Sequence, residues 1–407
     1  MTVVHFDALE TRDPAARDAA LLTRLPNQIA HAKAKSPGFR AVLQTIDPAD
    51  VNSWKALSLL PVTRKSALIE AQRAQPPFAG LNATPIGQLR RVFQSPGPIY
   101  DLEGVGPDWW RFARALFAAG FRAGDLIHNG FSYHFTPAGS MIEGGAAALG
   151  CPVFPAGTGA SEAQAGAMAD LKPAGYAGTP SFLKIILEKA RELGLDVSSC
   201  RTALVSGEAL LPALRQGLAD LGCKATQCYA SADLGLIAYE TDAREGMIVD
   251  EGVLVEIVRP GTGEPVPDGD VGEVLVTTFN PDYPLIRFAT GDLSAILPGV
   301  SPCGRTNRRI KGWMGRADQT TKIKGMFVHP AQINDVLRRH PEISRARLIV
   351  EKEGEIDAMT LLCVGAASEE AVAASLQTVT KLRGAVKLVG DADLANDGKV
   401  IEDRRAI

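Results

Sequence analysis

Residues 283–297 read YPLIRFATGDLSAIL, and residues 304–330 read GRTNRRIKGWMGRADQTTKIKGMFVHP. Pro284, Leu285 and Ile286 form an apolar run that leads into Arg287 and the Thr290-Gly291-Asp292 turn. Arg316 follows within Gly-Arg-Ala-Asp, and Thr321-Lys322-Ile323-Lys324 then alternates ahead of Gly325. This layout suits a polar ligand held at the ends of strands. A carboxylate on a turn accepts two sugar hydroxyls, and an arginine meets the same sugar or its phosphate with a planar fork. Glycine gives the backbone room to come close.

Outward from this stretch, the chain has the bulk of a multidomain protein. At 407 residues it is too long for one compact core and predicts two or three domains. A formal charge of −3 offers no basic face, so nucleic acid is not an expected partner. No basic head precedes an apolar run at the N-terminus, so no signal peptide is expected. No apolar segment of about 18 residues suggests a membrane span. The cysteines (Cys151, Cys200, Cys223, Cys228, Cys303, Cys363) are scattered through a large chain. That is no disulfide framework, and it points to a reducing cytoplasm.

Residues 1–90 read as helical and peripheral. Asp13-Pro14 opens a helix as a cap followed by a first-turn proline. Ser53 and the stretch from Pro61 to Lys65 offer further boundaries and a second cap. Residues 91–317 alternate strand and helix, which predicts a largely parallel mixed sheet under helices; the part from Gly246 is mostly strands and turns. Residues 318–407 read as a smaller α+β lid. The expected fold is therefore a large multi-layer α/β domain with mixed sheets, plus a small mobile C-terminal domain.

RFATGD followed by GRADQTTKIKG resembles the ribose-binding and hinge motifs of the adenylate-forming acyl-CoA synthetase superfamily. PLIRFATGDL, PCGRTNRRI and KGMFVHPAQI resemble its phenylacetate–CoA ligase branch. The resemblance runs from about Asn129 to the C-terminus and is weakest over the first 90 residues. It implies ATP- and Mg²⁺-dependent activation of a carboxylic acid, expected to be aromatic, as an acyl-adenylate, then transfer to coenzyme A. Asp292 and Arg316 would hold the ribose, and Asp318 would be the pivot of the lid.

Ser206-Gly207-Glu208, straight after an apolar strand, resembles the family's adenine loop. Tyr229-Ala230-Ser231-Ala232-Asp233 resembles its Tyr-Gly-x-Thr-Glu motif, whose acid holds Mg²⁺. Asp233 stands in for that acid with one methylene less reach, and Ser231 partly compensates for a hydroxyl lost at Ala232. Lys399 resembles the terminal catalytic lysine. Tyr133, His134 and Phe135, with Tyr176, are candidates for the wall of an acyl pocket.

Two departures qualify the resemblance. The expected phosphate loop is replaced by Arg90–Asp101, where Pro96 and Pro98 remove backbone donors, the lysine is missing, and Asp101 and Glu103 add negative charge. Arg90 or Arg91 is the candidate replacement cation. The second departure is Ser301-Pro302-Cys303, where some relatives carry Cys-x-Cys; one soft ligand cannot build a tetrahedral site, so no structural zinc is expected. The alternatives are a non-catalytic or atypical nucleotide- or coenzyme A-binding relative, or an adenylating enzyme with another acceptor. The sequence names no particular acid and does not read out oligomeric state; a homodimer is one admissible assembly.

Overall fold

The computed structural model describes residues 4–96, 98–317, 321–323, 326–328, 330–353, 356–395 and 399–405. A nine-stranded mixed sheet carries the middle of the chain. Val153–Phe154, Ile127–Asn129, Gly175–Gly178, Thr202–Val205 and Lys224–Ser231 lie side by side and parallel. Gly235–Glu240, Met247–Val249, Arg309–Ile310 and Ile296–Leu297 complete it with antiparallel pairings. The parallel strands are joined by helices, among them Ala138–Leu149, Pro180–Glu192 and Pro212–Asp220, as crossover connections require. Every residue of Gly175–Gly178 and Gly235–Glu240 is buried, the pattern of a sheet covered on both faces.

A four-stranded sheet lies beside it, in the order Thr63–Arg64, Phe288–Ser294, Gly272–Thr278, Val253–Val258. Its last two strands pair without interruption from Val253 opposite Thr278 to Val258 opposite Glu273.

The first 90 residues are helical but not peripheral. Asp13 caps helix Pro14–Lys35 by accepting from the Ala16 N–H at 2.9 Å, and Ser53 caps Trp54–Ser58 in the same way. Leu25, Ile29, Phe39 and Leu57 then enter one core with Leu254, Val276, Leu285 and Phe288. Each such side chain taken from water contributes about 1.5–3 kcal/mol. Helical periodicity shows which face is apolar, not which surface it meets. Buried polar pairs fix the same docking: Arg17 Nε lies 2.9 Å from Glu251, and Glu10 accepts from Tyr239 at 2.7 Å and from Arg305 at 3.0 Å. Thr63 is no helix cap; Thr63–Arg64 pairs in parallel with Phe288–Ala289.

From Thr321 onward the chain forms a separate cluster that includes Ile323, Ile333, Leu348, Leu361, Val372 and Ile401. Its sheet runs Ala385–Leu388, Ile356–Gly365, Ile343–Glu353, Ile401–Asp403, accompanied by helices Pro330–Arg339 and Glu369–Thr380. This is the α+β unit anticipated from the sequence; Asp318 lies outside the described residues. Among the described residues no helix is long and apolar enough to cross a membrane.

Candidate active site

The carboxyl ends of the parallel strands are where an open α/β sheet presents a crevice to a ligand. Ser206 follows Thr202–Val205 there, and Ser231 closes Lys224–Ser231. The neighbouring sheet brings in the Thr290-Gly291-Asp292 turn, braced by Arg287. This buried guanidinium meets both oxygens of Glu256 at 3.0 Å and donates to the carbonyls of Leu60 and Gly263 at 2.6 Å. Its carbonyl accepts from the Thr63 N–H at 3.1 Å. Arg287 thereby ties segment 60–65 to the turn.

Asp292 is the best-connected acid of the site. Its Oδ2 accepts from the Tyr229 hydroxyl at 2.8 Å, and its Oδ1 from Trp313 Nε1 and Arg316 Nη1, both at 3.1 Å. The fold thus unites Tyr229, Asp292 and Arg316, and adds Trp313, which sequence reading did not single out. Burial, and then the Asp292 charge, push the Tyr229 phenol well above its usual value, so it stays a donor. A carboxylate has about four acceptor positions. Arg316 and Trp313 are the exposed donors of the three, so a vicinal diol would displace them first and leave Tyr229 in place. Gly291 supplies the φ of +78 on which this turn depends and which side-chain-bearing residues rarely adopt.

Around Asp233 the structure supplies a cation the sequence did not flag. Lys65 Nζ lies 2.5 Å from Asp233 Oδ2. Burial opposes the Lys65 charge, but Asp233 and the more distant acids raise its pKa overall. Asp101 comes from the hairpin strand Ile99–Glu103 and is fully buried. Neither of its oxygens, nor Asp233 Oδ1, finds a donor among the described residues. Burial, then the Asp233 charge, drives Asp101 well above the usual carboxylate range.

The replacement for the phosphate loop is a tight antiparallel hairpin, Arg91–Ser95 against Ile99–Glu103. Arg91 Nη1 meets Glu103 Oε2 at 3.2 Å and Ser140 at 2.8 Å, while Arg90 lies 3.8 Å from Glu103. The buried Glu103 on the facing strand attracts both arginines. Lys65, from another part of the chain, is the cation at Asp233.

Beside Ser206 and Gly207 lies a cavity of about 220 Å³ lined by Pro96, Phe112, Phe131, Pro137 and Met141, with Ser231 at its edge and no charged wall residue. Tyr133, His134, Phe135 and Tyr176 are not among its walls. Phe135 is 74% exposed, Tyr133 accepts from Asn129 at 2.8 Å, and Tyr176 is buried in a core cluster. The aromatic-rich FSYHF segment does reach the cavity, through Phe131. Its succession of rings did not reveal which one turns inward.

The Ser206 hydroxyl donates to the Cys228 carbonyl at 2.9 Å, and Glu208 accepts from the Ser181 N–H at 2.7 Å. These side chains hold the loop, leaving its backbone, with Gly207 at φ +86, to face a ligand. Ala230 lines the cavity next to Ser231. Lys399 stands just before Ile401–Asp403 in the C-terminal unit, its carbonyl accepting from Arg347 Nε at 3.0 Å.

The AMP-binding enzyme family matches residues 111–280. The phenylacetate–coenzyme A ligase of Thermus thermophilus is 33% identical over 352 residues, covering 82% of this chain and 78% of the relative. That of Aromatoleum evansii is 30% identical over 376 residues, covering 87% and 83%. The crystal structure of 2-hydroxyisobutyryl-CoA ligase in complex with 2-HIB-AMP and CoA superposes with a TM-score of 0.72 at 26% identity, covering 98% of this chain and 91% of that one.

Proposed function

The chain belongs to the phenylacetate–coenzyme A ligase family, and on that premise we propose how its own residues carry out the reaction. It is an AMP-forming acid–coenzyme A ligase. A carboxylate oxygen attacks the α-phosphorus of ATP, the bond to the β-phosphate oxygen breaks, and pyrophosphate leaves. The thiol sulfur of coenzyme A then attacks the acyl carbon, and AMP leaves.

In our reading Asp292 and Arg316 hold the ribose, Tyr229 fixes the Asp292 carboxylate, and the backbone of 206–208 borders the adenine. Lys399 offsets the negative charge that gathers on the phosphorus during attack. Rotation about Asp318 exchanges the lid faces between the half-reactions. Lys65 takes over the charge role of the missing loop lysine. Asp233 Oδ1 is a buried hard oxygen that accepts no hydrogen bond among the described residues, so Asp233 fits a Mg²⁺ ion, which would neutralise phosphate charge. Among the described residues no group of three or more His, Cys, Asp or Glu converges on a metal position, so phosphates and water would complete its shell.

The observation that carries this reading is the Tyr229–Asp292–Arg316 cluster at strand ends that also border an apolar cavity. An apolar cavity of roughly 150 Å³ takes benzene, so one of about 220 Å³ suits an uncharged ring with a short linker. The test is exchange of labelled pyrophosphate into ATP across a panel of acids. Exchange driven by aryl acids supports the assignment; exchange driven only by charged or long-chain acids rejects it. The proline-bearing hairpin favours a ligase with a weakened hold on outgoing pyrophosphate, which the same assay reads as a raised pyrophosphate KM. We place the enzyme in the cytoplasm, in keeping with its free, unpaired cysteines; light scattering distinguishes a monomer from a homodimer.

A further inference from the structure

At the opposite, amino ends of Thr202–Val205 and Lys224–Ser231 lies a larger cavity, of about 460 Å³. Lys224 on its rim and Ser231 at the active site are opposite ends of one strand, roughly 23 Å apart at about 3.3 Å per residue, while Leu210 and Pro212 carry its floor back toward the loop that follows Thr202–Val205. Its walls carry Arg201, Arg215, Lys224 and Arg244 and no acidic side chain. Leu210, Cys223 and Ala225 form an apolar floor.

Two of the four cations are already paired, one with a buried acid and one with an exposed acid. Arg215 forks onto Glu240 at 2.8 and 2.9 Å, and Lys224 meets Asp242. Arg201 and Arg244 are exposed, and neither guanidinium has an ion pair or hydrogen bond among the described residues. Arg244 closes the turn after Gly235–Glu240 at φ +54, its N–H donating to the Thr241 carbonyl at 3.0 Å. Two uncompensated guanidinium groups thus converge over a concave floor in a chain whose net charge is negative.

We propose that this cavity is a second binding site, for a small diphosphate-type anion. Guanidinium forks match phosphate oxygens in pairs, and the cavity exceeds the needs of a single phosphate. The proposal does not depend on the activity assigned above, because none of these residues belongs to the active site.

The test is calorimetric titration of the full-length chain with inorganic pyrophosphate, using wild type, the Arg201→Ala/Arg244→Ala double variant, and Lys65→Ala. The expected result is a binding event retained in Lys65→Ala and weakened at least tenfold in the double variant, whose ATP–pyrophosphate exchange stays at the wild-type rate. ADP that competes for this event assigns the diphosphate of a nucleotide, and ADP that does not compete assigns free pyrophosphate; both outcomes support the site. Undiminished binding in the double variant overturns the proposal, and so does loss of all binding in Lys65→Ala. Both arginines are exposed, and an unchanged melting temperature would confirm that the double variant is folded.

Discussion

Lys65 Nζ sits 2.5 Å from Asp233 Oδ2, so a lysine from the helical first part of the chain completes a charge cluster at the end of a central strand. Removing it leaves two buried acids facing one another with no cation between them. Loss of a charge-assisted contact is worth about 1.5–3 kcal/mol, so Lys65→Ala is expected to slow ATP–pyrophosphate exchange roughly ten- to a hundredfold. Its stability should fall by less than the ~3–5 kcal/mol of a fully buried pair, since a quarter of the Lys65 side chain is exposed. Adding Asp101→Asn should restore the melting temperature but not the exchange rate; recovery of both would mean Lys65 acts only on stability.

Asp292→Ala removes the acceptor shared by Tyr229, Trp313 and Arg316. Calorimetry with AMP should show affinity reduced by about a hundredfold or more, as expected for two lost hydrogen bonds to a charged group. Tyr229→Phe should cost about tenfold, because the carboxylate stays but loses its orienting donor. Equal AMP affinity in wild type and Asp292→Ala would remove the ribose from this position.

Lys399→Ala is expected to abolish acyl-adenylate formation while barely moving the melting temperature. Adenylate trapped by mass spectrometry at the wild-type rate would exclude Lys399 from the first half-reaction.

Cys303 is a single thiol among hydrogen-bonding neighbours. Burial pushes it up, but Ser301, Thr241 and Arg305 bring it below its usual value overall. With one soft ligand in place, metal analysis of the purified protein should find no stoichiometric zinc, and chelator should leave the melting temperature unchanged. One equivalent of zinc, released on unfolding, would contradict this.

Asp108 caps helix Phe112–Ala119 through the N–H groups of Phe112 and Ala113 at 2.7 and 3.0 Å, yet burial pushes its carboxyl up to about 6. The folded chain therefore holds this proton more tightly than the unfolded chain does. Its contribution is complete below the usual 3.8 and is lost as pH climbs through about 6. Melting curves between pH 4 and 7 should show a decline that Asp108→Asn flattens; identical slopes would mean the group does not titrate in that window.

What the sequence revealed was chemistry carried by contiguous residues. RFATGD and GRADQ placed Asp292 with Arg316, and alternating strand and helix patterns anticipated the mixed sheet. Lys65 escaped because nothing near it in sequence concerns a ligand; only the parallel pairing of Thr63–Arg64 with Phe288–Ala289 carries it to Asp233. That Arg91 faces Glu103 across a hairpin is set by strand register, which the residues of the loop do not reveal one by one. Phe131 and Tyr133 are two residues apart in an irregular loop, where no periodicity tells inward from outward.

The clasp made by Arg287 has a practical corollary for mutagenesis. Glu256 is buried and lies outside the Tyr229–Asp292–Arg316 cluster, yet it anchors the guanidinium that joins the Lys65 segment to the Thr290-Gly291-Asp292 turn. A neutral replacement at Glu256 should therefore mimic a lesion in nucleotide handling, weakening sugar and phosphate recognition together. An alanine scan scored only by turnover would place Glu256 in the active site, although it serves as a remote hinge pin.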